Sequence, residues 1–272
     1  MTDSTDADTT ADEKDEKPGR LKRFHERFMV EERFLSAAAK RNLYITGAVL
    51  MVAGLVGFFV VLDSIREADD LSYIDKPVEA WLESGRDEWL TTIMIVLSIV
   101  FGPIAMPIII LVTTVTWGVL AKHAWRPILL AGGMILGVII VQVLAPIIAR
   151  DRPPAEEMMI GYDPTSSFPS GHVMGVADFL FIGTYLVFSR HRRPVITVLA
   201  FVAASFVVLM TAACRVYLGY HWPTDAVGSI TLSLVVLGLV IIVDTWRTVR
   251  VGSPEQVAES DRRPEAWGRD ER

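Results

Sequence analysis

Residues 89–121, WLTTIMIVLSIVFGPIAMPIIILVTTVTWGVLA, contain no Asp, Glu, Lys or Arg. As continuous helix this run would measure about 50 Å at 1.5 Å per residue, well beyond the roughly 30 Å of a bilayer's hydrocarbon core. It also carries Gly102, Pro103 and Pro107, which kink or interrupt a helix. It reads as one tilted crossing or as a hairpin of two short helices. Four other runs free of charge, 42–62, 127–149, 194–214 and 226–243, are long enough to cross once each, and 173–189 is apolar except for Asp178. Loop charge chooses between the readings. Arg20, Lys22, Arg23, Arg27, Arg33, Lys40 and Arg41 precede the first run, Lys122 and Arg126 follow 89–121, Arg190, Arg192 and Arg193 follow 173–189, and Arg247 and Arg250 follow the last. Basic loops stay in the cytoplasm, and six crossings put all four clusters there, whereas a hairpin at 89–121 strands some outside.

The sequence therefore predicts an all-α six-transmembrane bundle with both ends cytoplasmic. It divides into a 1–39 segment, acidic then basic and largely disordered, a 40–250 six-span core, and a disordered 251–272 tail. Residues 2–17 are Asp/Thr-rich without apolar periodicity, as in disordered chains. Val78, Trp81 and Leu82 in the 63–88 loop suggest a short amphipathic helix on the membrane surface. Across 272 residues, 51% are apolar and 21% charged, and mean hydropathy is +0.40. Because the charges crowd into the ends and short loops, a soluble globule is excluded. Cys214 has no partner for a disulfide, and a net charge of −6 drawn largely from the acidic N-terminal segment does not suggest a nucleic-acid partner.

The loops 150–172 and 215–224 hold the residues with chemistry. Arg150 and Arg152 follow the third span on the side that should be poor in Arg. Phe168-Pro169-Ser170-Gly171-His172 abuts the fourth, and Cys214-Arg215-Val216-Tyr217-Leu218-Gly219-Tyr220-His221-Trp222-Pro223-Thr224-Asp225 follows the fifth. Arg150, Arg152 and Arg215 supply planar, permanently charged forks for phosphate oxygens. Ser170 and Gly171 precede a helix, whose free N–H groups and dipole favour an anion. His172 and His221 offer a nucleophile and a general acid. Asp225, one helical turn after His221, is placed to fix its tautomer. With no Cys-pair metal site or Gly-rich nucleotide loop, the set reads as metal-free phosphoryl transfer through a phosphohistidine, with no cofactor.

Pro169-Ser170-Gly171-His172 and Arg215-x5-His221-x3-Asp225 resemble the second and third signatures of the type 2 phosphatidic acid phosphatase superfamily, and Arg152-Pro153 matches the end of its first, Lys-x6-Arg-Pro. The resemblance spans roughly residues 40–250. It implies that His221 attacks phosphorus with Asp225 orienting it, that His172 protonates the leaving alcohol and then activates water, and that Arg152, Ser170, Gly171 and Arg215 hold the phosphate. Two positions depart: Ala145 stands where the family has Lys, and Cys214 stands where it has Ser before the third-signature Arg. Arg150, two residues before Arg152, is the candidate to supply the missing charge. A soluble haloperoxidase of the same superfamily is excluded by the spans.

The expectation is a multi-pass cell-membrane phosphatase whose active-site loops face outside the cytoplasm. Its substrate would be a lipid phosphate or diphosphate of the bilayer: phosphatidic acid, phosphatidylglycerol phosphate or a polyprenyl diphosphate. The rivals are a phosphotransferase to an alcohol acceptor and a non-catalytic transport or lipid-binding relative. Tyr217, Tyr220 and Trp222 read as interfacial belt aromatics, Cys214 as a small buried residue, Pro103 and Pro107 as plain kinks. Asp178, a carboxylate inside a span, lines a cavity or bonds a neighbouring helix.

Overall fold

The computed structural model describes residues 32–67, 70–121, 123–190 and 194–262. The 2–17 stretch, the basic residues at 20–27, Lys122, Arg192, Arg193 and 263–272 lie outside them. The elements run β1 (Arg33–Leu35), α1 (Ala37–Glu67), a 3-10 turn (Asp70–Ile74), α2 (Asp75–Ser84), α3 (Glu88–Val100), α4 (Ala105–Ala121), α5 (Trp125–Ile148), α6 (Gly171–Phe188), α7 (Pro194–Tyr217), α8 (Pro223–Thr248), β2 (Val249–Val251) and α9 (Pro254–Arg262).

The protein is an all-α membrane bundle. Five helices, α1, α5, α6, α7 and α8, are long and apolar enough to cross a bilayer, and α3 with α4 supplies a sixth crossing broken by a 54° bend. Asp87 and Thr91, where α3 begins, bond the Tyr217 hydroxyl at one end of the bundle. Shortly after α4 the chain reaches Trp125, whose indole bonds Asp244 at the other end. The 89–121 run is thus one broken passage and not a hairpin. Helices α6 and α8 are the most enclosed of the spans, and on α6 Val173, Met174, Val176, Ala177 and Ile182 are at 0–1% exposure. Outward-facing Val52, Val56, Phe59, Ile108, Leu111, Ile135, Val202 and Phe206 are more than half exposed, an apolar surface suited to lipid and not to water. Helices α1 and α8 pack most extensively. A Cβ at Gly54 would lie 2.5 Å from the Thr231 carbonyl oxygen, so backbones meet there, as at small-residue crossings in membranes.

At the end away from the two histidines, buried Asp244 collects the Trp125 indole (3.0 Å), the Tyr185 hydroxyl (3.0 Å), Arg190 (3.2 Å) and Arg33 (3.6 Å). There β1 and β2 pair in parallel, joining the segment before α1 to the end of α8. The tail expected to be disordered after Gly252 is helical over Pro254–Arg262. Ser253 Oγ accepts from the Gln256 N–H (3.3 Å) and Gln256 Oε1 from the Ser253 N–H (2.9 Å). This reciprocal cap is what Ser-x-x-Gln encodes.

Helix α2 forms where the amphipathic helix was expected, with the opposite face inward: Trp81 is 72% exposed while Asp75 and Glu79, one turn apart, are buried at 3% and 6%. Asp75 is met there by the Arg150 guanidinium and by the Thr224 N–H and hydroxyl, whereas Glu79 lies beside Glu157 and Glu83.

Candidate active site

Two segments meet at the end of the bundle near α2. The first is Ser167 to His172, which α6 continues. Phe168 is fully buried, its ring 5.9 Å from that of Phe58, and it fills the notch left by Gly228, where a Cβ would sit 2.3 Å from the ring. The Phe168–Pro169 peptide is cis. The Ser170 N–H donates to Ser229 Oγ (2.8 Å), whose own hydroxyl donates to the Asp225 carbonyl (2.7 Å). The loop is thereby pinned to α8, and α6 opens at Gly171 with the first-turn N–H groups that no intrahelical carbonyl can satisfy. The buried Ser170 hydroxyl has no protein partner.

The second segment is the turn from α7 to α8. Gly219 has φ +75°, and a Cβ there would lie 2.3 Å from the Glu157 carbonyl oxygen, so both conformation and space call for glycine. Two residues later His221 is 3% exposed. Its Nδ1–H donates to the Ser167 carbonyl (2.7 Å), with Asp225 Oδ2 3.4 Å from the same nitrogen. That leaves Nε2 with its lone pair, 3.4 Å from an Arg152 guanidinium nitrogen. Burial above all, with Arg215 and Arg152 adding to it against Asp225, lowers this imidazole to about 4, so it is neutral at pH 7. Asp225 is as expected one turn on, but shares its role. The nearer acceptor is Ser167, and the carboxylate also takes the Ser167 hydroxyl, the Trp222 N–H (2.9 Å) and Arg150.

Arg152 is held by the Tyr220 carbonyl (2.6 Å), Thr165 and Asp163. Arg215 donates to Ser98 Oγ (2.6 Å), lies 4.4 Å from the Tyr220 ring centre and keeps its buried Nε without a protein partner. His172 donates to the Ser98 carbonyl and lies within electrostatic reach of His221, Arg152 and Arg215. A Cβ at Gly102 would stand 3.6 Å from His172 Nε2. The Gly102-Pro103 break is therefore more than a kink: it brings α3 against His172. The structure thus gathers His172, His221, Asp225, Arg152, Arg215, Ser170 and Gly171 in one place.

Arg150 departs from its expected role. Its guanidinium is spent on Asp75 (2.6 Å), Thr224 Oγ1 (2.8 Å) and Asp225, so its charge is already matched by carboxylates. Nor are Tyr217 and Tyr220 belt residues. They are 1% and 5% exposed, with their hydroxyls bonded to Thr91 and to the Gly161 carbonyl. Trp222 donates its indole N–H to the Asp151 carbonyl (3.0 Å). Ser98, Ser167, Thr224 and Asp75 were not singled out in the sequence. The first two act through carbonyl or hydroxyl groups any serine has, and only the fold brings Asp75 there.

Asp178 is wholly buried and accepts from the Ser233 hydroxyl (2.6 Å) on α8, the helix-bonding alternative of the two. Cys214 is 1% exposed. Among the described residues, Glu79, Glu83 and Glu157 form the carboxylate group whose spacing would suit a cation, their oxygens within 4.8 Å of one another. They sit on α2 and the 150–170 loop, apart from the histidine elements, and Arg86 pairs with Glu83 (3.1 Å). Burial, Glu157 and Glu83 raise Glu79 to about 8, so it carries a proton at neutral pH.

Residues 126–248 match the family model described as PAP2 superfamily. Phosphatidylglycerophosphatase B of Bacillus subtilis is 24% identical over 192 residues, covering 67% of this chain and 89% of its own. The crystal structure of the first transmembrane PAP2-type phosphatidylglycerolphosphate phosphatase, also from Bacillus subtilis, superposes with a TM-score of 0.60 at 22% identity, covering 70% of this chain and 94% of that one.

Proposed function

We propose that the chain, whose residues 126–248 match the PAP2 superfamily model, is a membrane phosphatase of that superfamily that hydrolyses a lipid phosphate through a phosphohistidine on His221. The observation that carries this is the imidazole itself: Nδ1 is tied to Ser167 and Asp225, and neutral Nε2 sits beside the Arg152 guanidinium. Nε2 attacks phosphorus and the bond to the lipid oxygen breaks. His172 gives that oxygen its proton, then takes one from the water that attacks phosphorus as the P–Nε2 bond breaks, releasing phosphate and restoring neutral His221. Arg152, Arg215, the Ser170 hydroxyl and the N–H groups at the start of α6 surround the phosphate oxygens. With Ala145 at the family Lys position, the two arginines and the N-terminus of α6 supply the positive charge in this reading.

Phosphatidylglycerol phosphate is the first substrate to try, because both Bacillus relatives carry that activity in their names; phosphatidic acid and polyprenyl diphosphates follow. Arg33, Lys40, Arg41, Arg190, Arg247 and Arg250 cluster at the Asp244 end, which supports a reading with that end in the cytoplasm and the histidines on the outer face. The lipid tails would enter sideways between helices while the phosphate meets the arginines at the interface. Histidines and arginines fill every role, so no metal is called for. The test is phosphate release by purified protein from the three lipids in excess chelator, beside His221→Ala. Release that survives chelator and vanishes in the variant supports the reading. Release that requires a metal, or persists in the variant, defeats it, and phosphate appearing on an added alcohol redirects it to phosphotransfer.

A further inference from the structure

We infer that Asp75, carried in by α2, is a positioning residue for His221, acting through Arg150 and Asp225; this rests on the reading of His221 as nucleophile. Asp75, Arg150 and Asp225 have side chains 5%, 13% and 0% exposed, and they form a continuous chain: Asp75 to Arg150 at 2.6 Å, Arg150 to Asp225, and Asp225 to His221 Nδ1 at 3.4 Å. Thr224 binds the same chain together, giving its N–H to Asp75 Oδ1 (2.9 Å) and its hydroxyl to Oδ2 (2.7 Å). Trp222, at the N-cap of α8, has no side-chain oxygen, so a carboxylate from another helix caps α8 in its place.

Charge gives the chain its function. Two carboxylates and one guanidinium sum to −1 beside a neutral imidazole. When Nε2 takes the phosphoryl group the proton stays on Nδ1 and the ring becomes an imidazolium, so the buried unit sums to zero. The excess negative charge is matched only in the phosphohistidine state, the condition for stabilising it over the resting one. Without Asp75, Arg150 cancels Asp225 and that excess is gone.

Asp75→Asn separates charge from capping, since its amide oxygen still accepts the Thr224 N–H. Expected in Asp75→Asn is a kcat lowered about tenfold, the effect of roughly 1.4 kcal/mol at the barrier, with KM within about twofold as for a loss made only past the ground state. The acid limb of kcat/KM would move to lower pH, because Asp225, Arg152, Arg215, His172 and Asp163 still face His221 while one negative charge is lost. Histidine-labelled NMR, assigned with His221→Ala, reads the same displacement without turnover. A wild-type kcat per folded enzyme with an unmoved His221 titration overturns the role of Asp75. His221→Ala retaining activity overturns instead the underlying assignment of the nucleophile.

Discussion

Burial sets the protonation of His221, and two consequences follow from its lowered value of about 4. The proposed nucleophile is neutral through the physiological range, so the loss of kcat/KM that protonation of His221 causes on the acid side should come only as pH passes through about 4. A histidine in an unfolded chain titrates near 6.5, so between about 6.5 and 4 the unfolded state binds more protons than the folded one. Stability is therefore fully present above about 6.5 and is lost as pH falls toward 4. Because Glu79 adds stability over the same interval, the test is the difference between variants: from pH 7 to pH 5 the melting temperature of the wild type in detergent should fall relative to that of His221→Ala, and equal changes in the two would contradict it. Ser98 offers a second test. Its hydroxyl accepts from Arg215 at 2.6 Å, and a hydrogen bond to a charged group is worth about 1.5–3 kcal/mol. Ser98→Ala should lower kcat/KM at least about tenfold with the fold intact, and unchanged turnover would remove Arg215 from the phosphate site.

Helix α2 and the α6 entry loop are held in place by different physics. On α2, Glu79 is raised to about 8 by burial and by Glu157 and Glu83, with Arg86 opposing. Its folded form holds a proton that the unfolded form gives up near 4.5, so its contribution is complete below about 4.5 and is lost as pH rises through about 8. The melting temperature should decline between pH 6.5 and 9, and Glu79→Gln, which carries no proton to lose, should flatten that decline; a parallel decline in the variant would refute it. The loop depends on packing: Phe168 occupies the notch over Gly228, where a Cβ would come within 2.3 Å. Gly228→Ala must push Phe168 or α8 aside, an overpacking cost of about 1–3 kcal/mol. It should lower both the melting temperature and kcat, because Ser170 and His172 move with the ring.

At the scale of the bundle, the proposed orientation is open to direct labelling. Cys214 is 1% exposed, leaving new cysteines as the accessible ones. In intact cells a membrane-impermeant maleimide should label Glu156→Cys, on the loop beside the histidine end, and spare Ser253→Cys until the membrane is opened. The reverse pattern would put the histidines in the cytoplasm.

The six apolar runs and the signature residues were legible in the sequence, because crossing a bilayer demands long charge-free segments and because Pro-Ser-Gly-His and Arg-x5-His-x3-Asp keep their chemistry within short spacings. Those spacings singled out His172, His221 and Asp225, which the fold brings to one end of the bundle, and local signals such as Ser-x-x-Gln before α9 were there to be read. Tertiary structure alone decided the partners. Arg150 looked free for phosphate until α2 brought Asp75 against it, and Ser98 entered the site only because the break at Gly102 leans α3 onto His172. Val78, Trp81 and Leu82 marked α2 as amphipathic, yet its buried face is the acidic one. Periodicity reports which side chains share a face, whereas the face that turns inward is set by charges far away in sequence that the fold brings alongside.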